Sequence, residues 1–195
     1  CLLSRGLGDV YKRQGDIGRA VLKFQPEAKV TALDFSSEML ELAHQQQGEN
    51  AHVLNYIRGD AMAPPFPKEY FEAVTVGYGL RNVADLSACI KNILSLLKPS
   101  GVLVCLDVGK VNIPVIAQLN RFYFFKIVPL IGKWLMPGQE MFDYLPHSSI
   151  NYPDQKKLRK ILLEEGFQKV DVYDFVFGAS LSLIHISEPT RQEAI

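Results

Sequence analysis

An α/β fold built on a mostly parallel sheet is what the sequence predicts, on three observations. Short β-rich runs alternate with segments of helical periodicity, and two of those runs close on an acidic residue, Asp34 and Asp60. The length of 195 residues, with 48% hydrophobic and 22% charged side chains, suits one soluble domain with room for an insertion. Strands that alternate with helices require right-handed crossovers, which put helices on both faces of the sheet and ligands at the carboxyl ends of the strands.

The elements follow in order. Residues 15–24 (GDIGRAVLKF) carry Ile17, Val21, Leu22 and Phe24 at helical spacing behind a Gly-Asp turn. Residues 29–34 (KVTALD) form a short strand, and Ser36 offers an N-cap for a helix over 37–47. A second strand is expected at 56–60 (YIRGD), followed by an extended loop that Pro64, Pro65 and Pro67 enforce. A third strand covers 71–77 (FEAVTVG), and a helix covers 86–97. The KPSG stretch at 98–101 reads as a turn, and 102–108 (VLVCLDV) as a buried strand. An apolar insertion runs over 113–137, then a loop rich in aromatic and hydroxyl side chains over 142–153. An amphipathic helix over 154–165 closes on Gly166, and 169–177 alternates like an antiparallel strand at a sheet edge.

Charge and cysteine usage narrow the function. Lysine plus arginine and aspartate plus glutamate each number 21, so no net field recruits nucleic acid. Cys1, Cys89 and Cys105 have neither metal-ligand nor redox spacing. We therefore expect no metal, a reducing cytoplasmic compartment, and buried thiols at Cys89 and Cys105. The stretch nearest to a membrane span, 113–136, is interrupted by Arg121, Lys126, Pro129 and Lys133.

Residues 1–14 (CLLSRGLGDVYKRQ) and the tail over 181–195 resemble translated sequencing-adapter read-through, and both are set aside from the fold as non-native. On that reading the native domain is 15–180 and its first strand is missing or replaced. Gly6, Gly8 and Asp9 imitate a nucleotide loop without the apolar strand that should precede it, so they are taken as a decoy.

The strand-end acids carry the first functional argument. Asp34 can accept both hydroxyls of a ribose, or else pair locally at the helix start. Asp60 can accept from an adenine amino group while the backbone N–H of Ala61 or Met62 meets a ring nitrogen; the bland alternative is an Asx turn. Together they favour a cofactor that contains adenosine.

The segments LDFSSEML, GDAMAPPF, VTVGYGLRNV, LLKPSGVLVCLDV and KVDVYDFVFGAS resemble the S-adenosylmethionine-dependent C-methyltransferases of menaquinone and ubiquinone biosynthesis, the UbiE type. The resemblance covers 15–180, with GYGLRNV its most specific motif, and the insertion over 113–153 is closer to the demethylmenaquinone branch. It implies a class I, Rossmann-like methyltransferase fold with a mostly parallel sheet and an antiparallel edge. It also implies that Asp34 holds the ribose of S-adenosylmethionine and that Asp60 and Ala61 read its adenine. Gly77 takes the position facing the methionine end, where the family often has serine. Gly15 and Asp16 match the close of the glycine-rich loop, whose threonine position is Gln14 here.

By the same resemblance Arg81 and Asn82 flank the reacting ring of a polyprenyl quinol. Arg81 would stabilise a developing phenolate and Asn82 would orient it or a water. The alternative for Arg81 is an exposed pair with Asp85. Tyr78, Tyr144, His147 and Tyr152 are pocket or lid candidates, with His147 a weaker general base. The apolar stretch 113–136, with Phe122 to Phe125 at its centre, is core or else a lip for an isoprenoid tail at the inner membrane face. Two other readings use the same residues: a nicotinamide-dependent oxidoreductase, and an incomplete enzyme acting only as a quinone-binding or assembly module.

Overall fold

The computed structural model describes residues 2–3, 16–46, 54–111, 152–175 and 180–186, with positions 113, 115, 118, 122, 123 and 127 besides. Its elements are β1 (Leu2–Leu3), α1 (Asp16–Phe24), β2 (Val30–Asp34), α2 (Ser37–Gln45), β3 (Leu54–Arg58) and β4 (Phe71–Gly77). After a 3₁₀ turn at Leu80–Asn82 come α3 (Leu86–Leu96), β5 (Leu97–Val108), α4 (Gln155–Glu164; the fourth helix described), β6 (Lys169–Phe175) and β7 (Ser180–Ile186).

The strands form one seven-stranded sheet in the order β3-β2-β1-β4-β5-β7-β6. The first five in that row are parallel, and β7 runs antiparallel to both β5 and β6. The expected antiparallel edge is therefore present, with β6 outermost. Part of each end that the sequence reading set aside, 2–3 and 181–186, lies in this sheet. Leu2 and Leu3 bridge Ala32 and Leu33 of β2 to Thr75 and Val76 of β4, and β7 pairs along Val102 to Val108. Backbone ladders accept almost any side chain, and the SLSLIHI run also alternates with a strand's period.

The sheet carries two core clusters. On one face Val30 and Ala32 of β2 and Leu54 of β3 pack with Leu22 of α1. On the other, Leu33, Val74, Val76, Leu103 and Cys105 pack with Cys89, Ile90 and Ile93 of α3 and Leu158 and Leu162 of α4. The alternation of Ala32 and Leu33 between these clusters follows from the strand's period of two.

Side-chain caps fix where the helices begin. Ser36 Oγ accepts from Met39 N at 3.2 Å, Asp85 Oδ1 from Ala88 N at 3.0 Å, and Asp154 Oδ1 from Lys157 N at 2.9 Å. Gly166 ends α4 with φ +113°, a conformation open to glycine at little cost.

Two expected boundaries move. The strand expected at 56–60 is Leu54–Arg58, because Leu54 is buried against Val30 and Gly59 turns to donate to Asp34 O at 3.0 Å. Asp60 thus lies two residues beyond its strand. The KPSG turn is bracketed by β5 itself: pairing steps from Phe71 with Leu97 directly to Ala73 with Val102, so 98–101 bulge outward. Ser100 takes φ 62° there.

Gly59 is a steric requirement at the end of β3, since a Cβ would sit 2.6 Å from Leu33 Cδ1 and 3.2 Å from Pro65 Cδ. Gly59→Ala should lower the unfolding free energy by about 1–3 kcal/mol through overpacking. Urea denaturation checks this, and an unchanged midpoint would show that Leu33 yields freely.

Candidate functional site

The carboxyl ends of β2, β3 and β4 surround a depression. Asp34 and Phe35 lie on one side, Gly59 and Ala61 beside them, and Leu80, Val83, Cys89 and Ile93 form an apolar floor. This is where an open parallel sheet binds its ligands. Asp34 is 8% exposed, and its Oδ1 accepts from Ser36 N at 2.9 Å, so the residue that starts α2's entry turn also presents a carboxylate to the depression.

Asp60 does form the Asx turn weighed as its bland reading, with Met62 N donating to Oδ1 at 2.9 Å. That bond commits the Met62 N–H, while Ala61 lines the depression. The loop is pinned from α3: Asn92 Nδ2 donates to Met62 O at 2.6 Å, and Cys89 Sγ lies 3.9 Å from Ala61 O. Cys89 is buried as expected, yet it also lines the site, which the sequence reading missed. Phe35 was missed too; it is 52% exposed at the rim, and its signal was an aromatic directly after a strand-end acid.

The second part of the site lies where β4 ends beside β5. Gly77 pairs with Leu106, and a Cβ on Gly77 would fall 2.8 Å from Ile17 Cδ1, so this glycine lets α1 close on the strand end. Tyr78 then takes φ 54°, in the left-handed region, while its N–H donates to Leu106 O at 2.7 Å. Strain of this kind collects at functional turns. Asn82 Nδ2 closes the turn with a long 3.4 Å bond to Tyr78 O, and the Arg81 guanidinium lies 5.5 Å from the centre of the Tyr78 ring.

Arg81 does not pair with Asp85, which is used as the α3 cap. Its side chain is 6% exposed, and Nη1 lies 3.6 Å from Oδ1 of Asp107, which is wholly buried. The β4–β5 register dictates this, because the turn after Gly77 lands against the last residues of β5. Arg81 Nε and Nη1 are buried without a hydrogen-bond partner. Burial pushes the Asp107 carboxyl up to about 6, against the pull of the Val108 N–H and the Arg81 charge. Burial likewise raises the Cys105 thiol and the Tyr152 phenol, both neighbours of Asp107.

Asp107 is the principal residue the sequence reading missed; a carboxylate inside the apolar run VLVCLDV was its signal. Gln155 is another: buried, it accepts from Lys110 N at 3.2 Å and donates to Lys110 O and Asp174 Oδ1, each at 3.0 Å, tying the exit of β5 to α4 and β6. The structure thus gathers Asp34 and Ala61 at one depression, with Asp60 in the turn between the lining residues Gly59 and Ala61, and Gly77, Tyr78, Arg81 and Asn82 at the neighbouring strand end. Of Asp16 only the backbone is described, as the first residue of α1. Gly15, Tyr144 and His147 lie outside the described residues.

Comparison with known proteins adds a family and a fold. A model of the ubiE/COQ5 methyltransferase family matches residues 5–187. A demethylmenaquinone methyltransferase of Leptospira interrogans is 49% identical over 154 residues, 76% of this chain and 61% of that protein. One from Staphylococcus haemolyticus is 35% identical over 152 residues, 78% of this chain and 63% of that protein. The chain spans less than two thirds of the length of these relatives. Among solved structures, the CurJ carbon methyltransferase superposes with a TM-score of 0.66 at 15% identity, over 96% of this chain and 48% of that one. A SAM dependent methyltransferase from Aquifex aeolicus gives 0.64 at 14% identity, over 95% of this chain and 80% of that one. At such identities the likeness speaks for the fold alone, and it is the class I methyltransferase fold.

The pinned loop and the buried carboxylate each generate an expected outcome. Asn92→Ala should cost about 1 kcal/mol of stability and free the 60–62 loop, read as faster amide exchange at Met62 and Ala63. With the Asp107 carboxyl at about 6 in the fold and 3.8 unperturbed, the folded chain holds that proton more tightly than the unfolded one. Stability should therefore fall as pH rises from about 3 to about 7, by roughly 3 kcal/mol from this group. Urea unfolding at the two ends of that window, compared with Asp107→Asn, isolates the contribution. An equal pH response in both proteins would contradict it.

Proposed function

Since the chain belongs to the ubiE/COQ5 methyltransferase family, we propose that it methylates a ring carbon of a demethylmenaquinol-like polyprenyl quinol, using S-adenosylmethionine. One observation carries the reading: the buried Arg81, with Nε and Nη1 lacking hydrogen-bond partners, follows the strand end beside the depression that Asp34 and Ala61 border. A buried guanidinium at a strand end, ion-paired through Nη1 and with Nε making no hydrogen bond among the described residues, suits a ligand oxygen on which negative charge develops.

The residues fit an adenosine group. Asp34 offers acceptors for ribose hydroxyls, Ala61 a backbone N–H for a ring nitrogen, and Asp60 an acceptor for the amino group. Leu80, Val83 and Ile93 give a flat apolar floor, and the exposed Phe35 a stacking face. The absence of a side chain at Gly77 leaves backbone groups to meet the amino-acid end. S-adenosylmethionine supplies an electrophilic methyl group on a sulfonium.

The protein's part in the reaction is to hold a quinol ring in line and ease loss of a hydroxyl proton, which makes the ring carbon nucleophilic. A guanidinium does not act as the base at neutral pH; Arg81 stabilises the phenolate that forms. Tyr78 and Asn82 shape the turn that presents it. The isoprenoid tail is assigned to the stretch 113–136, where Ile113, Val115, Phe122 and Tyr123 are exposed apolar side chains. No helix among the described residues is long and apolar enough to cross a membrane. We assign the chain to the cytoplasm, touching the inner membrane face through that stretch.

Transfer of labelled methyl to a short-tailed demethylmenaquinol tests this reading. The unaltered chain should label the ring, and Arg81→Ala should lower kcat roughly 100- to 1,000-fold while the affinity for S-adenosylhomocysteine stays within about twofold. Equal loss of both would place Arg81 in the cofactor site instead. Phe35→Ala should weaken S-adenosylhomocysteine binding by about 1–3 kcal/mol.

A further inference from the structure

Resting on the role just given to Arg81, we propose that Asp107 is a positioning residue that acts through Arg81, holding its guanidinium at the end of β4. Three observations converge on this. Asp107 and Arg81 form a buried ion pair, 0% and 6% exposed, with Nη1 and Oδ1 3.6 Å apart. The pair spans two strands whose register, Gly77 opposite Leu106, brings the turn after β4 onto the last residues of β5. Arg81 is held from two sides, by Asp107 and by the Tyr78 ring, while Nε and Nη1 make no hydrogen bond among the described residues. A guanidinium fixed by its charge and its face, with donors left over, is oriented for something else.

Stability does not explain the pair. Desolvating two charges is costly, and apolar residues of similar size often serve a core as well or better. Residues 103, 105 and 107 share the buried face of β5, where leucine and cysteine fill the other two places. A carboxylate there is an exception to its own strand.

The arrangement also makes the site sensitive to acid. Among the described residues, the groups that face Asp107 include Arg81 from the turn after β4, Tyr152 from the segment before α4, and Cys105 from its own strand. Tyr152 and Cys105 stay neutral, since burial raises both. Asp107 is thus the group of this cluster that changes charge in mildly acidic solution, and its protonation releases Arg81.

The test uses the whole chain labelled with ¹⁵N. The Arg81 Nε–H resonance, assigned by its loss in Arg81→Lys, is followed from about pH 5 to pH 8. It should be protected from exchange and shift with a midpoint near 6 in the unaltered chain, and the shift should vanish in Asp107→Asn. A resonance indifferent to pH, or to the substitution, would overturn the coupling. In the methyl-transfer assay Asp107→Asn should lower kcat roughly 10- to 100-fold with KM for S-adenosylmethionine unchanged, and Asp107→Glu should recover part of the loss.

A double variant, Arg81→Met with Asp107→Leu, separates positioning from folding. It should unfold at or above the temperature of the unaltered chain yet transfer no methyl. Full activity in that variant would overturn the proposal. Absence of transfer by the unaltered chain would instead count against the quinol reading, and the resonance would still decide the Arg81–Asp107 coupling.

Discussion

The pairing of β4 with β5 is the constraint on which the rest of this molecule depends. From Ala73 opposite Val102 to Gly77 opposite Leu106 the two strands run in unbroken parallel register. One face of that pair carries the larger core, through Val74, Val76, Leu103 and Cys105, and so seats α3 and α4. Its carboxyl end delivers Gly77, Tyr78 and Arg81 to the side of Asp107. Slipping the register by one residue would turn Asp107 to the other face and separate it from Arg81. The same hydrogen bonds that build the sheet therefore assemble the polar cluster.

The site has two halves of contrasting physics. Around Asp34 and the 60–62 loop lie a buried carboxylate held by Ser36 N, a backbone loop pinned from α3 and an exposed ring, over an apolar floor. Such a lining suits a flat, amphipathic ligand met through its edges and faces. At the end of β4 the groups are buried and charged, and the fold maintains them against their desolvation. A left-handed tyrosine, a buried ion pair and a carboxyl pushed up by burial fall within a few residues of each other, and concentrations of this kind mark functional sites. The two halves meet where β4 ends.

The sequence was legible where the signal was local. KVTALD followed by Ser36 placed the end of β2, the cap of α2 and Asp34 together, because a strand's alternation and a hydroxyl cap are both short-range effects. The end of β3 was placed two residues late, since Leu54's burial against Val30 depends on a neighbouring strand. Asp107 was passed over because an apolar run reads as a buried strand whatever one of its members carries. That Arg81 meets Asp107 rather than Asp85 follows from register between strands, which periodicity does not reveal. The terminal stretches show the converse. Their resemblance to adapter read-through gave grounds to set them aside, yet Leu2, Leu3 and 181–186 pair in the sheet, because backbone pairing asks little of side-chain identity.

The central claim is that the strand-end depression bordered by Asp34 and Ala61 is an adenosine site of the methyltransferase kind. Calorimetric titration of the folded chain with S-adenosylhomocysteine, and separately with NAD, tests it most directly. The account predicts saturable one-to-one binding of S-adenosylhomocysteine, lost in Asp34→Ala, and no measurable binding of NAD. Preference for NAD, or S-adenosylhomocysteine binding that survives the loss of the Asp34 carboxylate, would contradict it.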